Sequence, residues 1–555
     1  MTATMSTSAS KRPSPGGRVL DRFATRMFGL PPATTSYSVA RGVRVPMRDG
    51  VELAADLYQP TSKAVGTILV RGPYGRSALM ALPMARIFAA RGYNALFVSC
   101  RGTFESGGDF FPMVSEVDDG HDVVTWMRDQ PWYTGSFATV GGSYLAYTQW
   151  ALLTDPPPDL VAAVISISPH DFAEHAWGTG AFRLDFLGWS HMVVHQEEGG
   201  FVRGSYRTVT AERRNAKAMD ELPLEQAART HLEGRAPWYV DWVTRPDLDD
   251  PFWKPMRLGD ALDRADIPIL LISGWQDIFL DQTLEQYRRL HERGVDVALT
   301  TGPWSHIAVG AGGAQITTTE TFDWIEENLA KRGPRRRSSA VRVFVTGAEE
   351  WRDLPEWPPP STPAALYLHS HLDLSAEPPA DDAPPSSFVY DPARPTPTIG
   401  GPLLGFRCVK DDTELADRAD VACWTTPVLE HDLEVLGPPV LELAHESDNP
   451  HVDLFARISE VGADGRSHNV TEGYRRLDPD REPGIVTLPL RDMAHRFKAG
   501  TRLRLLVAGG SHPQFARNLG TGENPGTGEQ LQPARHTIHH GQGGSSRLVL
   551  PTPGD

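Results

Sequence analysis

Cysteine is scarce in this sequence: Cys100, Cys408 and Cys423 are the only three in 555 residues, too few for a disulfide framework, and none stands at the C-x-x-C spacing of a zinc or redox site. Free thiols and a reducing, cytoplasmic compartment are therefore expected. No run of about 18 apolar residues occurs, so no membrane-spanning helix is expected. The first thirty residues lack the unbroken apolar stretch of a signal peptide and begin Ser-, Pro- and Gly-rich. They read as a poorly ordered leader. Excess positive charge is also missing: 54 basic against 70 acidic side chains leave a net charge of −16. Nucleic acid and anionic membrane would repel such a surface on average, so neither is expected as a partner. There is no internal repeat.

What is present is a change of pattern along the chain. From residue 36 to about 330, short β-branched runs such as "GTILVRG", "NALFVSC", "VAAVISIS" and "IPILLISG" alternate with longer amphipathic stretches. That alternation is expected of a largely parallel sheet covered by helices on both faces. Between "VAAVISIS" and "IPILLISG" it lapses for about a hundred residues of helical spacing, an insertion expected to cap the crevice where such sheets bind ligands. After "KRGPRRRSS" the runs become strand-like and are divided by Pro-, Gly- and Asp-rich turns, which predicts an all-β sandwich.

The stretch "TVGGSYLAYTQW" sets two glycines and a tyrosine around Ser143, between an apolar run and a helix-like segment. A serine hydroxyl becomes a nucleophile only when an imidazole takes its proton and a carboxylate fixes that imidazole. Asp277 in "LISGWQDIF" and His306 in "TTGPWSH" each follow a late predicted strand, in the order Ser, Asp, His that an α/β-hydrolase sheet uses. The intervening residues leave room for one strand and the cap between the first two, and for one helix and one strand between the last two. Read alone, each residue has a plainer explanation: a loop serine, a helix N-cap aspartate, one histidine among nineteen. The fifth position of the common G-x-S-x-G pentapeptide is Leu145, not glycine.

These motifs together resemble the cocaine esterase (CocE/NonD) family of serine hydrolases, related to X-prolyl dipeptidyl peptidases and α-amino acid ester hydrolases. "GGSYLAYTQW" is similar to the family's nucleophile motif, with Ala146 in place of its last glycine, "SGWQD" to its acid motif and "GPWSH" to its base motif. "RGTFESGG", "DLFARISEVGADGRSHNVTEGYRR" and "PQFARNLGTGE" extend the likeness almost to the end of the chain. The resemblance implies an α/β-hydrolase core with an inserted helical cap, followed by a C-terminal β-sandwich of jelly-roll type. The expected division is a leader over 1–33, the core over 34–170 and 266–335, the cap over 171–265 and the jelly roll over 336–555. It also implies an oxyanion hole of the Tyr74 hydroxyl, from "VRGPYGR", and the backbone N–H of Tyr144, and it calls for no metal or organic cofactor.

Relatives that act on free α-amino groups carry acidic residues just after the catalytic aspartate, where this chain has Ile278, Phe279 and Leu280. An ammonium there would lose hydration without gaining a partner, which favours an uncharged ester substrate. Trp177, Trp275, Phe279 and Trp304 are candidate pocket walls, with core packing the alternative for each. Asp171 and Glu174 remain candidate ammonium ligands. Amidase or dipeptidyl peptidase activity, acyl transfer, and a non-catalytic binding role on the same fold stay open as alternatives, and the oligomeric state is left open. "HTIHH", with His536, His539 and His540, has no supporting carboxylate pattern for a metal.

Overall fold

The computed structural model describes residues 11, 12, 14–198, 213–405, 407–482, 484–541 and 546–554. The chain divides into two compact units. The first comprises Met1–Phe172, Pro251–Gly274 and Gln282–Val341, and the second Ala173–Asp250, Trp275–Asp281 and Arg342–Asp555.

The first unit is built on strands β1 (Tyr37–Pro46), β2 (Glu52–Pro60), β3 (Thr67–Gly72), β4 (Asn94–Ser99), β5 (Phe137–Gly142), β6 (Leu160–Ser166), β7 (Ile269–Gln276) and β8 (Val297–Ser305). They lie in the order β1-β2-β4-β3-β5-β6-β7-β8. β1, β2 and β4 pair antiparallel, and from β4 through β7 the pairing is parallel. Every residue of β3, β4 and β7 is buried, as continuous apolar runs require when helices cover both faces. The helix Tyr144–Leu153 buries all ten of its residues, having no polar face to present.

The leader expected over 1–33 is corrected by this structure from residue 14 onward; its first ten residues lie outside the described ones. A helix runs Pro15–Met27, started by Ser14, whose Oγ accepts the Gly17 N–H at 3.1 Å, with proline in the first turn. Asp21 accepts from Arg86 Nε at 2.9 Å and from the Tyr37 hydroxyl at 3.0 Å, while Ala24 and Phe28 are buried. The Ser-Pro-Gly start that suggested disorder is equally a helix N-cap signature.

In the second unit, the cap helices Phe172–Trp177, from its second residue on, Phe186–His195, Leu224–His231 and Pro237–Thr244 accompany the sandwich. Backbone hydrogen bonds join the two parts: Leu184 N–H to Gln514 O at 3.1 Å, Ala516 N–H to Phe182 O at 2.8 Å and Arg476 N–H to Thr179 O at 2.7 Å. The segment Pro251–Ala265, expected in the cap, belongs to the first unit. One sandwich sheet runs Leu374–Ser375, Ser361–Leu368, Arg547–Pro553, Val440–Ser447, Ala534–His539, Ser386–Tyr390, with Gly484–Pro489 also paired to Val440–Ser447. A second runs Val421–Thr425, Arg502–Ala508, Asp453–Val461, Ser467–Arg476. Trp424, Leu441, Leu443, Leu454, Ile458 and Leu505 form the centre of its core. Among the described residues, no helix is long and apolar enough to cross a membrane.

Candidate active site

Ser143 sits between β5 and the helix Tyr144–Leu153 with φ 58° and ψ −127°, a conformation that costs a non-glycine residue about 1–3 kcal/mol. It persists because both sides are anchored. The Ser143 N–H donates to Ser166 O at 2.9 Å, and its carbonyl accepts from the Ala146 and Tyr147 N–H groups at 2.9 and 3.0 Å. Gly141 is required here: a Cβ on it would lie 2.6 Å from Leu145 Cβ and 2.8 Å from Leu145 O. Gly142 is not sterically required, since its Cβ would meet nothing closer than 3.5 Å.

Leu145, the departure from the pentapeptide, is accommodated from a distance. A Cβ on Gly72, at the end of β3, would come within 2.5 Å of its Cδ1. The space that a glycine at 145 would leave is supplied instead by the strand beneath. Ala146 is wholly buried in the first turn of the helix.

His306 follows β8 and is 5% exposed, with Nε2 3.0 Å from Ser143 Oγ. Its carrier is tightly wedged. A Cβ on Gly302 or Gly313 would lie 2.5 or 2.7 Å from the Trp304 indole, and one on Gly274 would lie 2.2 Å from Trp304 O. Three glycines thus clear the room that Trp304, one of the expected pocket walls, occupies.

Asp277 directly follows β7, is 0% exposed and belongs to the second unit. Its carbonyl accepts from Arg491 Nη2, and Arg491 Nε also holds Asp281 at 2.9 Å. Of the other expected walls, Trp177 donates its indole N–H to Trp242 O at 2.8 Å, and Trp275 donates to Phe344 O at 2.7 Å. Phe279 lies 4.5 Å from the His175 ring, and all three are buried. Asp171 is ion-paired to Arg257 at 2.9 Å, whereas Glu174 is exposed on its helix.

Tyr74 is half-buried, with its ring edge-on to that of Tyr144 at 6.5 Å. Its turn is held from both sides, by Arg71 in β3 and by Arg76, whose Nε donates to Asp56 Oδ1 at 3.3 Å. Gly75, at φ 77°, could carry no side chain, because a Cβ would fall 2.8 Å from the Phe104 ring.

Sequence reasoning missed two groups beside these donors. Glu116, at the start of the helix Glu116–Arg128, accepts from the Tyr144 hydroxyl at 2.9 Å through Oε1 and from Arg71 Nη2 at 2.8 Å through Oε2. Burial pushes its carboxyl above the ordinary range, and the Arg71 guanidinium holds part of that rise back. An acidic residue opening a helix reads as dipole compensation, so nothing local marked it. Among the described residues no cluster of three or more His, Cys, Asp or Glu side chains could hold a metal, and His536 of "HTIHH" is instead bonded to His445 at 3.0 Å.

Residues 49–308 match the sequence family of X-Pro dipeptidyl-peptidase (S15 family), and residues 335–549 match the X-Pro dipeptidyl-peptidase C-terminal non-catalytic domain. The chain is 30% identical to cocaine esterase of Rhodococcus sp. (strain MB1 Bresler) over 93% of its own length and 99% of that protein's. Among solved structures, an α-amino acid ester hydrolase superposes with a TM-score of 0.80 at 21% identity, covering 94% of this chain and 98% of that one. An aminopeptidase from a marine sediment Thaumarchaeota archaeon superposes at 0.78 with 21% identity, covering 93% and 96%. These two structures are likenesses of fold.

Proposed function

Because the chain belongs to the cocaine esterase family of serine hydrolases, we propose that it cleaves carboxylic esters through an acyl-enzyme formed on Ser143. The observation that carries this reading is His306 Nε2 at 3.0 Å from the hydroxyl of a serine held at φ 58°. A serine kept in so costly a conformation at the mouth of a helix is positioned for attack rather than for packing.

In this mechanism His306 removes the Ser143 proton as Oγ adds to the ester carbonyl, and Asp277 holds the imidazole in the tautomer that leaves Nε2 free to accept. Asp277 directly follows β7 and His306 directly follows β8, in the chain order Ser, Asp, His that this fold uses, which supports their acting together. The Tyr74 hydroxyl and the Tyr144 N–H, at the positive end of the helix Tyr144–Leu153, stabilise the oxyanion; each such donor contributes about 3 kcal/mol. Collapse expels the alcohol with the proton from His306. Water then repeats the sequence on the acyl-enzyme.

The substrate is an ester with an uncharged acyl group. Ile278, Phe279 and Leu280 are buried and apolar, and the charge of Asp171 is already matched by Arg257, so neither place receives an ammonium well. Of the expected walls, Trp304, two residues before His306, is the one we assign to it.

A panel of p-nitrophenyl esters and aminoacyl anilides, run on wild type and Ser143→Ala, tests the reading. Ester turnover falls by about 10⁴-fold or more in the variant, and a fluorophosphonate labels wild type alone. Undiminished ester turnover by Ser143→Ala ends the serine assignment. Faster cleavage of anilides bearing a free amine than of esters transfers the chain to the peptidase side of its family.

A further inference from the structure

Beneath the serine turn lies a buried charged group that the mechanism above does not use. Glu116 is 3% exposed, and each of its carboxylate oxygens is committed: Oε1 to the Tyr144 hydroxyl at 2.9 Å, Oε2 to Arg71 Nη2 at 2.8 Å and to Cys100 Sγ at 3.5 Å. Arg71 also donates through Nη1 to Glu116 O at 3.0 Å, so the guanidinium grips both the side chain and the backbone of one residue. Gly120, one helical turn on, makes room for it; a Cβ there would stand 2.6 Å from Arg71 Nη1. The Tyr144 hydroxyl in turn accepts the N–H of Met113 at 2.7 Å, and Met113 is itself held at φ 68°.

The two residues that Glu116 joins are not arbitrary. Tyr144 is the first residue of the helix after Ser143, and Arg71 is in β3, three residues before Tyr74. We propose that Glu116 is a positioning residue that ties the two oxyanion donors to each other, fixing the Tyr144 N–H through the tyrosine's own side chain and the Tyr74 turn through Arg71. This rests on the reading of Ser143 as the nucleophile. Its physical basis is that an oxyanion donor is effective only when held at its working position before charge develops. A side-chain hydrogen bond at the far end of Tyr144 prevents the helix start from rocking. A neutral pair would do this less well, because the bond from a phenol to an ionised acceptor is shorter and stiffer.

Glu116→Gln and Tyr144→Phe break the clamp from its two ends. Oxyanion placement is read from kcat and from the affinity of phenylboronic acid, which becomes tetrahedral and anionic on adding Ser143 Oγ. In Glu116→Gln, kcat falls by about 10- to 100-fold and the boronate Ki rises by a similar factor, while KM for a p-nitrophenyl ester stays within about twofold. Tyr144→Phe shows the same split, and the double variant is little worse than Glu116→Gln because both remove one interaction. A loss of packing alone would lower the melting temperature without this paired change in kcat and boronate affinity. Wild-type kcat and boronate affinity in either folded variant, with Ser143→Ala inactive, overturn the clamp and leave the serine reading intact; Tyr144→Phe decides alone where Glu116→Gln does not fold. Full turnover by Ser143→Ala is the separate result that removes the serine reading, and the clamp with it.

Discussion

Arg457 in the sandwich and Arg71 in the hydrolase core are almost equally hidden from solvent, and both meet a buried glutamate: Arg457 binds Glu472 at 2.6 Å, and Arg71 binds Glu116 at 2.8 Å. The difference lies in what else those glutamates hold. Glu472 receives Gln514 Nε2 at 2.7 Å, and Arg457 reaches the carbonyls of Ile399 and Gly400, so the charge is spent on cross-linking loops to a strand. Glu116 receives the phenol of the residue that follows Ser143. The backbone beside the two pairs differs as well: Met113 and Ser143, near the core's buried charge, are at φ 68° and 58°, while the strands that carry Arg457 and Glu472 have no positive-φ residue among those described. Buried charge in one region secures architecture, and in the other it secures a conformation that the chain would otherwise leave.

That contrast is broken most sharply by removing one group from each side. His306→Ala lowers ester kcat by about 10³-fold or more while its urea midpoint stays close to wild type. Arg457→Met does the opposite: it leaves Glu472 buried without its cation and lowers unfolding free energy by about 3–5 kcal/mol, with kcat per folded molecule unchanged. A matching loss of kcat in Arg457→Met would show that the two roles are not separate.

Acid sharpens the comparison within the sandwich. Burial pushes His445 and His536 down to about 3, with the neighbouring Arg481 also opposing charge on His445. The folded form prefers both rings neutral, so the stability they confer is complete above the unfolded value of 6.5 and is lost as pH falls from there toward 3. The expected slope is about 1.4 kcal/mol per pH unit for each ring, and His536→Gln reduces it in urea titrations at pH 4–6. The smallest effect is at the strained turn: Ser143→Gly is more stable than Ser143→Ala by about 1 kcal/mol, because only glycine is at ease at φ 58°. Equal stability of the two would mean that the turn stores no strain.

Much of this was legible in the chain. The apolar runs that became β3, β4 and β7 are buried on both faces, and such strands announce themselves without neighbours. Ser143 and His306 stood at strand ends in the expected order, and the structure sets them 3.0 Å apart. What escaped was compensation at long range. Gly72 makes Leu145 tolerable from a strand far back in the sequence, and Glu116 meets Tyr144 from a helix whose first residue looked like an ordinary acidic start. The tryptophans show a different limit: an indole N–H bound to a carbonyl, as in Trp177 and Trp275, depends on which backbone passes nearby, and composition carries no trace of that. The leader was misread because a serine before a proline signals a loop and a helix start alike.

The seven residues Trp275–Asp281 belong to a unit that also holds Arg342–Asp555, which a ribosome makes much later. Among their partners are the carbonyls of Phe344 and Val470 and the guanidinium of Arg491, which a nascent chain that has just emerged past Asp281 does not yet have. The loop that bears Asp277 acquires these contacts only after residue 491 has been synthesised, 214 residues beyond Asp277 itself, so its final packing waits on chain made long after the loop.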